Sequence, residues 1–141
     1  MLRENEIEPV IIELNVETVQ RLKAEGTHAI YGDATRVDTL TQAGVADARA
    51  LVLSSSSIKN GREIVRMVRE LNPKIHILAR TAYLRELDEL RAAGVDHVFS
   101  GEGEVALAMT EHVLKDFGAT PEQIDRVHAA LFSREEKSAA H

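Results

Sequence analysis

Two kinds of segment alternate along the chain. Short apolar runs, each about as long as a buried strand, are separated by longer segments in which apolar residues recur every three or four positions among charged ones. The short runs are Val10 to Ile12, His28 to Tyr31, Ala50 to Leu53, Ile75 to Leu78 and His97 to Phe99. This alternation predicts an α/β fold, with a parallel sheet, right-handed crossovers and helices on both faces.

The helical segments carry start and stop signals of their own. Asn15 is a good N-cap for the first helix, and Gly26 ends it. Thr35 is expected to cap the second helix, which Gly44 closes, and Pro73 stops the third. The remaining helices are predicted over residues 82–93, 104–117 and 121–131.

The end of the chain is expected to differ from the rest. The last predicted helix opens with Thr120 as N-cap, and Gln123 completes a capping box. The segment from Ser133 to His141 is expected to be a disordered tail. No linker, low-complexity tract or repeat divides the remainder, so residues 1–132 are expected to form one domain.

Composition and charge exclude several classes of protein. Hydrophobic residues make up 44% and charged residues 28% of the 141 residues, as in an ordinary globular domain. No apolar run approaches the roughly 18 residues that span a bilayer. The absence of cysteines and of a signal-peptide pattern fits a cytosolic protein without disulfides. The net charge of −6, with basic residues scattered among acids, argues against a nucleic-acid surface.

Candidate chemistry begins at the end of the first strand, because ligands of doubly wound sheets bind beyond the carboxyl ends of the strands. Glu13 lies there, where a carboxylate can accept hydrogen bonds from ribose hydroxyls and would repel a 2′-phosphate. The same residue is also explained as a surface acid near a helix N-terminus, where the helix dipole favours it.

The second strand is followed by Gly32, Asp33, Ala34 and Thr35. The glycine allows a tight turn, and the Asp33 carboxylate can accept a hydrogen bond from an adenine amino group. The same four residues also fit an ordinary turn from a strand to a helix, so both interpretations stay open.

Ser54 and Arg80 are the candidates after the third and fourth strands. Ser54 opens a run of four serines, whose hydroxyls can line a phosphate or ribose site or simply form a flexible loop. Arg80, placed after the fourth strand, has a guanidinium suited to phosphate or carboxylate. Alternatively, Arg80 pairs with a helix acid such as Glu86 or Glu89.

No group of residues in the sequence points to catalysis. The six histidines lack the spacing of metal ligands, and no G-x-S-x-G elbow occurs. We therefore expect no catalytic residue and no metal site, and we expect that the protein is not an enzyme.

The strand-end segments together resemble one family. The succession Val-Ile-Ile-Glu-Leu-Asn, Ile-Tyr-Gly-Asp-Ala-Thr, Ile-Leu-Ala-Arg and Leu-Arg-Ala-Ala-Gly-Val-Asp-His-Val is similar to that of RCK/TrkA-N (KTN) domains over roughly residues 2–115. These domains regulate potassium channels, Trk/Ktr transporters and Kef-type cation/proton antiporters. The segment from Gly101 to Asp125 is most similar to the C-terminal cytosolic part of Kef-type antiporters.

The resemblance implies a Rossmann-like fold and a non-catalytic regulatory domain that senses a nucleotide. NAD(H), AMP, ADP or ATP would lie across Glu13, Asp33, Ala34 and Thr35, with Arg80 near the same cleft. A membrane-embedded potassium transporter or antiporter subunit is the implied partner. The implied location is cytoplasmic, at the inner face of the membrane, through a transporter portion absent from this chain.

The start of the chain departs from the family pattern. The family's first strand, its G-x-G-x-x-G loop and most of its first helix should precede residue 1, because Leu2 to Glu8 matches the end of that helix. The pyrophosphate cradle is then missing, and the acid common after the third strand is replaced by serines. We expect an N-terminally truncated domain, with nucleotide binding weakened or lost through truncation.

The missing strand would lie in the middle of the sheet, between the strands at Val10 and Ala50. Those two strands could pair directly, a second chain could fill the gap, or the missing segment could be a separate polypeptide. Exchange between chains is the expected repair, since exposed strand edges recruit partners, and it predicts a homodimer. An NAD-dependent oxidoreductase fragment and a dimerisation scaffold with a vestigial nucleotide site stand as alternatives.

Overall fold

The structure, a computed structural model, describes residues 2–54 and 58–138. Strands and helices alternate along these residues, as the hydrophobic pattern predicts. The strands are β1 (Val10–Glu13), β2 (His28–Tyr31), β3 (Ala50–Leu53), β4 (His76–Thr81) and β5 (His97–Ser100). The helices are α1 (Val16–Ala24), α2 (Val37–Gln42), α3 (Ile58–Leu71), α4 (Leu87–Ala92), α5 (Gly101–Asp116) and α6 (Pro121–Ser138).

The chain divides into two compact units. One contains β1, β2, α1, α2 and nearly all of α3, and the other contains β5, α4, α5, α6 and nearly all of β4, with the boundary crossing β3. The strands form a parallel two-stranded sheet, β1-β2, and a three-stranded sheet with the order β3-β4-β5, in which β4 and β5 are parallel. The predicted α/β class with parallel strands is confirmed.

The two-stranded sheet is built around helix α1. Glu13 of β1 lies opposite Tyr31 of β2 in the parallel register. The predicted cap of α1 is confirmed, since the Asn15 side chain accepts a hydrogen bond from the Thr18 N–H at 2.9 Å. Gly26 follows the helix with a φ of +76°, a conformation that costs a glycine little.

The core of the first unit includes the apolar face of α3, with Val65 fully buried, and Leu40 of α2. Asn72, which follows α3, donates its Nδ2 to the carbonyl oxygens of Val45 and Ala48 at 3.0 and 2.9 Å. The end of α3 is thereby tied to the 3-10 turn Val45–Asp47 that leads into β3.

Asp96 joins β4 to the start of β5. Its carboxylate accepts the Ile77 N–H at 2.7 Å, and its own N–H donates to the Ile77 carbonyl at 2.9 Å. Ile77, Ala79 and Val98 are buried in this sheet. The parallel pairing of β4 and β5 therefore starts at a side-chain clamp as well as at the backbone ladder.

Strand β4 is longer than the sequence predicts. Arg80 and Thr81 pair with Phe99 and Ser100 of β5, so the ladder continues to Thr81. The prediction that Arg80 follows the fourth strand was wrong. Apolar character ends at Ala79, but pairing with β5 extends the strand and buries Thr81.

The start of α2 also differs from the prediction. Thr35 is not its N-cap, because the helix begins at Val37 after Arg36, and Arg36 makes no side-chain cap hydrogen bond. The Thr35 hydroxyl donates instead to the carboxylate of Asp33. A competing turn hydrogen bond thus takes the hydroxyl that was expected to cap the helix.

Helix α5 begins at Gly101 rather than at residue 104. Ser100 is its N-cap, with its hydroxyl oxygen accepting the Gly103 N–H at 3.1 Å. Helix α4 begins later than predicted, after a 3-10 turn over Leu84–Glu86. Both differences lie at helix starts, where short capping contacts decide the first residue.

The capping box at the start of α6 is confirmed. The Thr120 N–H donates to Gln123 Oε1 at 2.8 Å, and the Gln123 N–H donates to Thr120 Oγ1 at 3.3 Å. The helix runs on to Ser138, whereas the sequence predicts a disordered tail from residue 133. Residues 139–141 of that predicted tail lie outside the described residues.

Strands β1 and β3 each have a single partner among the described strands. β1 pairs with β2, and β3 pairs with β4. Pairing of β1 with β3, one of the three repairs that the sequence allows, is not among these ladders. The second edge of each of these strands therefore carries no ladder with a described strand.

Candidate functional site

Glu13 and the turn after β2 lie at one edge of the two-stranded sheet. The Gly32 N–H donates to the Glu13 carbonyl oxygen at 3.1 Å. One carboxylate oxygen of Glu13, Oε1, accepts the Asn15 N–H at 2.9 Å, so the side chain helps to form the turn into α1. Its second oxygen has no hydrogen-bond partner among the described residues. Glu13 thus has both the structural role and a free acceptor for a ligand.

Asp33 is held by Thr35. The Asp33 Oδ1 atom accepts the Thr35 N–H at 2.8 Å and the Thr35 hydroxyl at 2.7 Å. The backbone bond, followed by the hydroxyl bond and the charge of Arg36, holds the pKa of Asp33 below its ordinary value. Asp33 therefore stays ionised near neutral pH, and in the described part of the chain its Oδ2 atom has no partner.

Close packing explains why a glycine occupies position 32. A Cβ atom at this position would lie 2.7 Å from Cγ2 and 2.9 Å from Oγ1 of Thr39, a buried residue of α2. Ala34, two residues later, is half-buried. The glycine brings the turn against α2, and this approach sets the position of the Asp33 carboxylate.

Ser54 and Arg80 lie in the three-stranded sheet. Ser54 follows β3 and is exposed, and Ser55 to Ser57 lie outside the described residues. Arg80 is exposed, and its Nη2 atom would lie 3.5 Å from a Cβ atom placed on Gly101. The first residue of α5 is therefore next to a guanidinium.

Arg80 makes no ion pair with a described carboxylate. The sequence offered Glu86 and Glu89 as partners. Glu86 instead accepts a hydrogen bond from the Thr81 hydroxyl. With no described carboxylate as its partner, the Arg80 guanidinium is free for an anion.

The candidate residues fall into two sets, each within its own compact unit. Glu13, Gly32, Asp33, Ala34 and Thr35 share the edge of the β1-β2 sheet. Ser54 and Arg80 belong to the β3-β4-β5 sheet. The structure thus brings together five of the seven candidates, and the other two form a separate pair of strand ends.

Two further polar positions at strand ends were not predicted. Tyr31 is 59% exposed opposite Glu13, directly before the Gly-Asp-Ala-Thr turn. Ser100 is buried and caps α5. The signal for Ser100 was present in the segment Ser-Gly-Glu-Gly, in which a small hydroxyl residue precedes flexible glycines and an acid suited to a first helical turn.

Residues 2–54 and 58–138 contain neither a metal-binding cluster nor a membrane-spanning helix. No cluster of three or more histidine, cysteine, aspartate or glutamate side chains within this part could hold a metal ion. Nor does any helix described there have the length and apolar character needed to cross a bilayer.

Comparison with known proteins identifies the family. The TrkA-N domain matches residues 1–101. The TrkA-N domain of the inner membrane protein ybaL from Escherichia coli is 32% identical, with a TM-score of 0.74 over 78% of this chain and 82% of that chain. The chain therefore belongs to the TrkA-N domain family.

Two more distant structures share the fold. The Kef C-terminal domain of Shewanella denitrificans, in an AMP-bound form, is 23% identical with a TM-score of 0.67, and 94% of each chain is covered. The GsuK channel bound to NAD is 23% identical with a TM-score of 0.68 over 76% of this chain. The match spans 19% of that channel's chain, so it concerns one domain of a longer protein.

Proposed function

We propose that this TrkA-N domain is a non-catalytic regulatory module that senses a nucleotide. NAD(H) or an adenine nucleotide (AMP, ADP or ATP) would bind at the carboxyl ends of the strands, and the domain would control a potassium channel, transporter or potassium/proton antiporter. A membrane-embedded transporter subunit is the proposed partner, which places the domain in the cytoplasm at the inner face of the membrane. Structures of the same fold bound to NAD, ADP and AMP support this choice of ligand class.

The Asp33 turn carries the proposal. It combines an ionised carboxylate with an unbonded Oδ2 atom at the edge of a parallel sheet, next to the half-buried Ala34. An adenine amino group or a ribose hydroxyl is a hydrogen-bond donor, and both need an acceptor of this kind. Glu13 supplies a second acceptor at the same edge.

Arg80 is the proposed phosphate contact. Its guanidinium is the group in the three-stranded sheet that can neutralise a phosphate, and no described carboxylate competes for it. Gly32 and Ser54 are proposed as lining residues. Gly32 acts through backbone approach, and Ser54 through its exposed hydroxyl.

Calorimetry with Asp33→Asn tests the site. Asparagine keeps an acceptor oxygen for Thr35, so the turn survives, but it replaces the free carboxylate oxygen with an NH₂ donor. Binding of AMP, ADP, ATP or NADH should weaken about tenfold or more. Asp38→Asn is the matched control, because Asp38 lies on α2 with its side chain 91% exposed. Equal affinity in the parent and in Asp33→Asn would remove Asp33 from the site.

The competing functions make opposite predictions for the same protein. A dimerisation scaffold with a vestigial site would show no calorimetric signal with any of these nucleotides. An NAD-dependent oxidoreductase fragment would transfer hydride to a small carbonyl substrate, whereas the regulatory module should show no turnover of NADH.

A homodimer is the proposed assembly, and helix α5 supports it. Four large apolar side chains lie exposed at four-residue spacing along this helix, so they form one stripe: Val105, Met109, Val113 and Phe117, with Phe117 86% exposed. An apolar stripe of this length is typical of a contact surface.

Light scattering tests the assembly. The parent chain should be dimeric at micromolar concentration, and Met109→Glu should shift it towards monomer. Thr110→Glu is the control, because Thr110 is exposed on α5 beside the stripe. A monomeric parent would contradict the proposed dimer.

A further inference from the structure

A histidine and a carboxylate face each other where α6 packs on α5. His128 of α6 places its Nε2 atom 3.4 Å from Oε2 of Glu111 on α5. The His128 Nε2 atom is buried and has no hydrogen-bond partner among the described residues, although the side chain as a whole is 37% exposed. A buried polar atom without a partner is destabilising, and here an anion lies at ion-pair distance from it.

The surroundings of Glu111 favour its ionised form. Its Oε1 atom accepts a hydrogen bond from Lys115 Nζ at 2.5 Å. This hydrogen bond, and then the Lys115 charge, lowers the pKa of Glu111, with a smaller contribution from His128. Lys115 uses one carboxylate oxygen and leaves the other facing His128.

The other charged groups nearby do not replace this contact. His112 lies 3.7 Å from Asp116, but both residues belong to α5, so their pair does not join the two helices. On α6, Asp125 lies one turn before His128. Among the described side chains, Glu111 thus faces the imidazole, Lys115 is hydrogen-bonded to Glu111, and Asp125 lies one turn away on the same helix as His128.

The start of α6 buries little apolar surface. Within residues 121–130 of this helix, Ile124 is buried, and a cavity of about 370 Å³ opens where α5 turns into α6. The cavity is lined by Leu114, Phe117, Gly118, Ala119, Gln123 and Val127. The His128–Glu111 pair joins the same two helices.

We infer that His128 and Glu111 form a proton-operated clasp that sets how tightly α6 is held against α5. Protonation of the imidazole converts the unpartnered Nε2 atom into a charged donor to Glu111. Loss of that proton removes the positive charge from the ring, so the attraction to Glu111 weakens. The clasp shares no residue with the proposed nucleotide site, and it adds a pH input to the domain.

The direction of the pH effect follows from the charges of His128 and Glu111. A lower pH favours the charged form of an imidazole, and Glu111 keeps its charge because Lys115 lowers the pKa of its carboxyl. Attachment of α6 therefore strengthens as the pH falls. It is lost again only in stronger acid, where Glu111 takes up a proton.

Amide hydrogen exchange of the full chain tests the clasp. After correction for intrinsic exchange rates, protection of residues 124–130 should rise about twofold to fivefold between pH 8 and pH 6, the range expected of a partly exposed ion pair. His128→Gln and Glu111→Gln should each abolish this rise. His112→Gln is the matched control and should keep it, because the His112 pair lies within α5.

Two results would overturn the clasp. One is protection of α6 that is independent of pH in the parent chain, and the other is a rise that persists in His128→Gln. Circular dichroism checks that the variants fold. If one does not, NMR titration of the parent replaces it. The His128 ring signal and the α6 amide signals should then shift with a common midpoint, and separate midpoints would count against the inference.

Discussion

The turn after β2 and the end of β4 are both polar strand ends, yet the protein uses their polar groups differently. In the turn after β2, Asp33 and Thr35 hydrogen-bond each other, and Gly32 is closed in by Thr39. At the end of β4, the Arg80 guanidinium has no described carboxylate as a partner. In the turn after β2 the polar residues mostly contact one another and α2, whereas at the end of β4 the positive charge of Arg80 is not neutralised by a described carboxylate.

This difference predicts different effects of mutation on stability and on ligand binding. A substitution of a residue that holds the turn in place should lower the stability of the fold and, through the altered turn, the affinity for a ligand. Arg80 is exposed and its side chain makes no hydrogen bond or ion pair with a described residue, so its variants should change binding alone. Each strand end has a charged residue and a threonine, and the partners of these residues differ.

Gly32→Ala should cause the largest loss of stability. The new Cβ atom would lie 2.7 Å from Thr39 Cγ2 and 2.9 Å from Thr39 Oγ1, so rotating the side chain only exchanges one clash for the other. Forcing an atom into such a packed place costs about 1–3 kcal/mol. Urea unfolding followed by circular dichroism should show this loss in the free energy of unfolding.

Gly101→Ala is the control for Gly32→Ala. The nearest atom to its new Cβ, Arg80 Nη2, is at 3.5 Å, an ordinary contact, and the position opens a helix. Its free energy of unfolding should stay within about 0.5 kcal/mol of the parent. Thr39→Ala should relieve most of the clash of Gly32→Ala. A Gly32→Ala protein as stable as the parent would show that the turn is not packed as described.

Replacement of Asp33 should lower stability less than Gly32→Ala does, and the loss should depend on pH. The folded pKa of Asp33 is lowered, chiefly by the Thr35 N–H, so its contribution to stability is present above the pKa of the unfolded chain and is lost as the pH falls through the folded pKa. The melting temperature of the parent should therefore fall between about pH 5 and pH 3.

Asp33→Asn keeps the turn but removes the titrating group, so its acid decline in melting temperature should be shallower than that of the parent. Asp33→Ala should melt lower than the parent at every pH, since the turn loses both hydrogen bonds from Thr35. Asp38→Asn serves as the control and should follow the parent curve. Identical acid curves for the parent and Asp33→Asn would contradict the charged turn.

Periodicity and turn chemistry were enough to predict the fold. The β-branched runs mark all five described strands, and the caps at Asn15 and Thr120 are confirmed because each acts within a few residues. Boundaries set by distant partners were missed. β4 reaches Thr81 only because β5 lies beside it, and α5 begins at Gly101 because Ser100 caps it.

The candidate site was less predictable for the same reason. The turn from Gly32 to Thr35 was recognised as special, but its internal bonding was not, since Thr35 has two competing uses as a helix cap and as a partner of Asp33. The sequence allowed Arg80 to pair with Glu86, but the Glu86 carboxylate accepts a hydrogen bond from the Thr81 hydroxyl and makes no ion pair with Arg80. Contacts of this kind depend on side-chain positions that hydrophobic periodicity does not specify.

Arg80→Ala should have the smallest effect on stability, within about 0.5 kcal/mol, because the side chain is exposed and lacks a described carboxylate partner. Nucleotide affinity should fall about tenfold or more if its guanidinium meets a phosphate, and the loss should be smaller for a nucleoside such as adenosine. Arg85→Ala is the matched control, since its guanidinium lies over the Tyr83 ring at 4.5 Å. Equal losses for ATP and adenosine would exclude a phosphate contact. A drop in stability would show instead that Arg80 supports the sheet, and the contrast with the Asp33 turn would disappear.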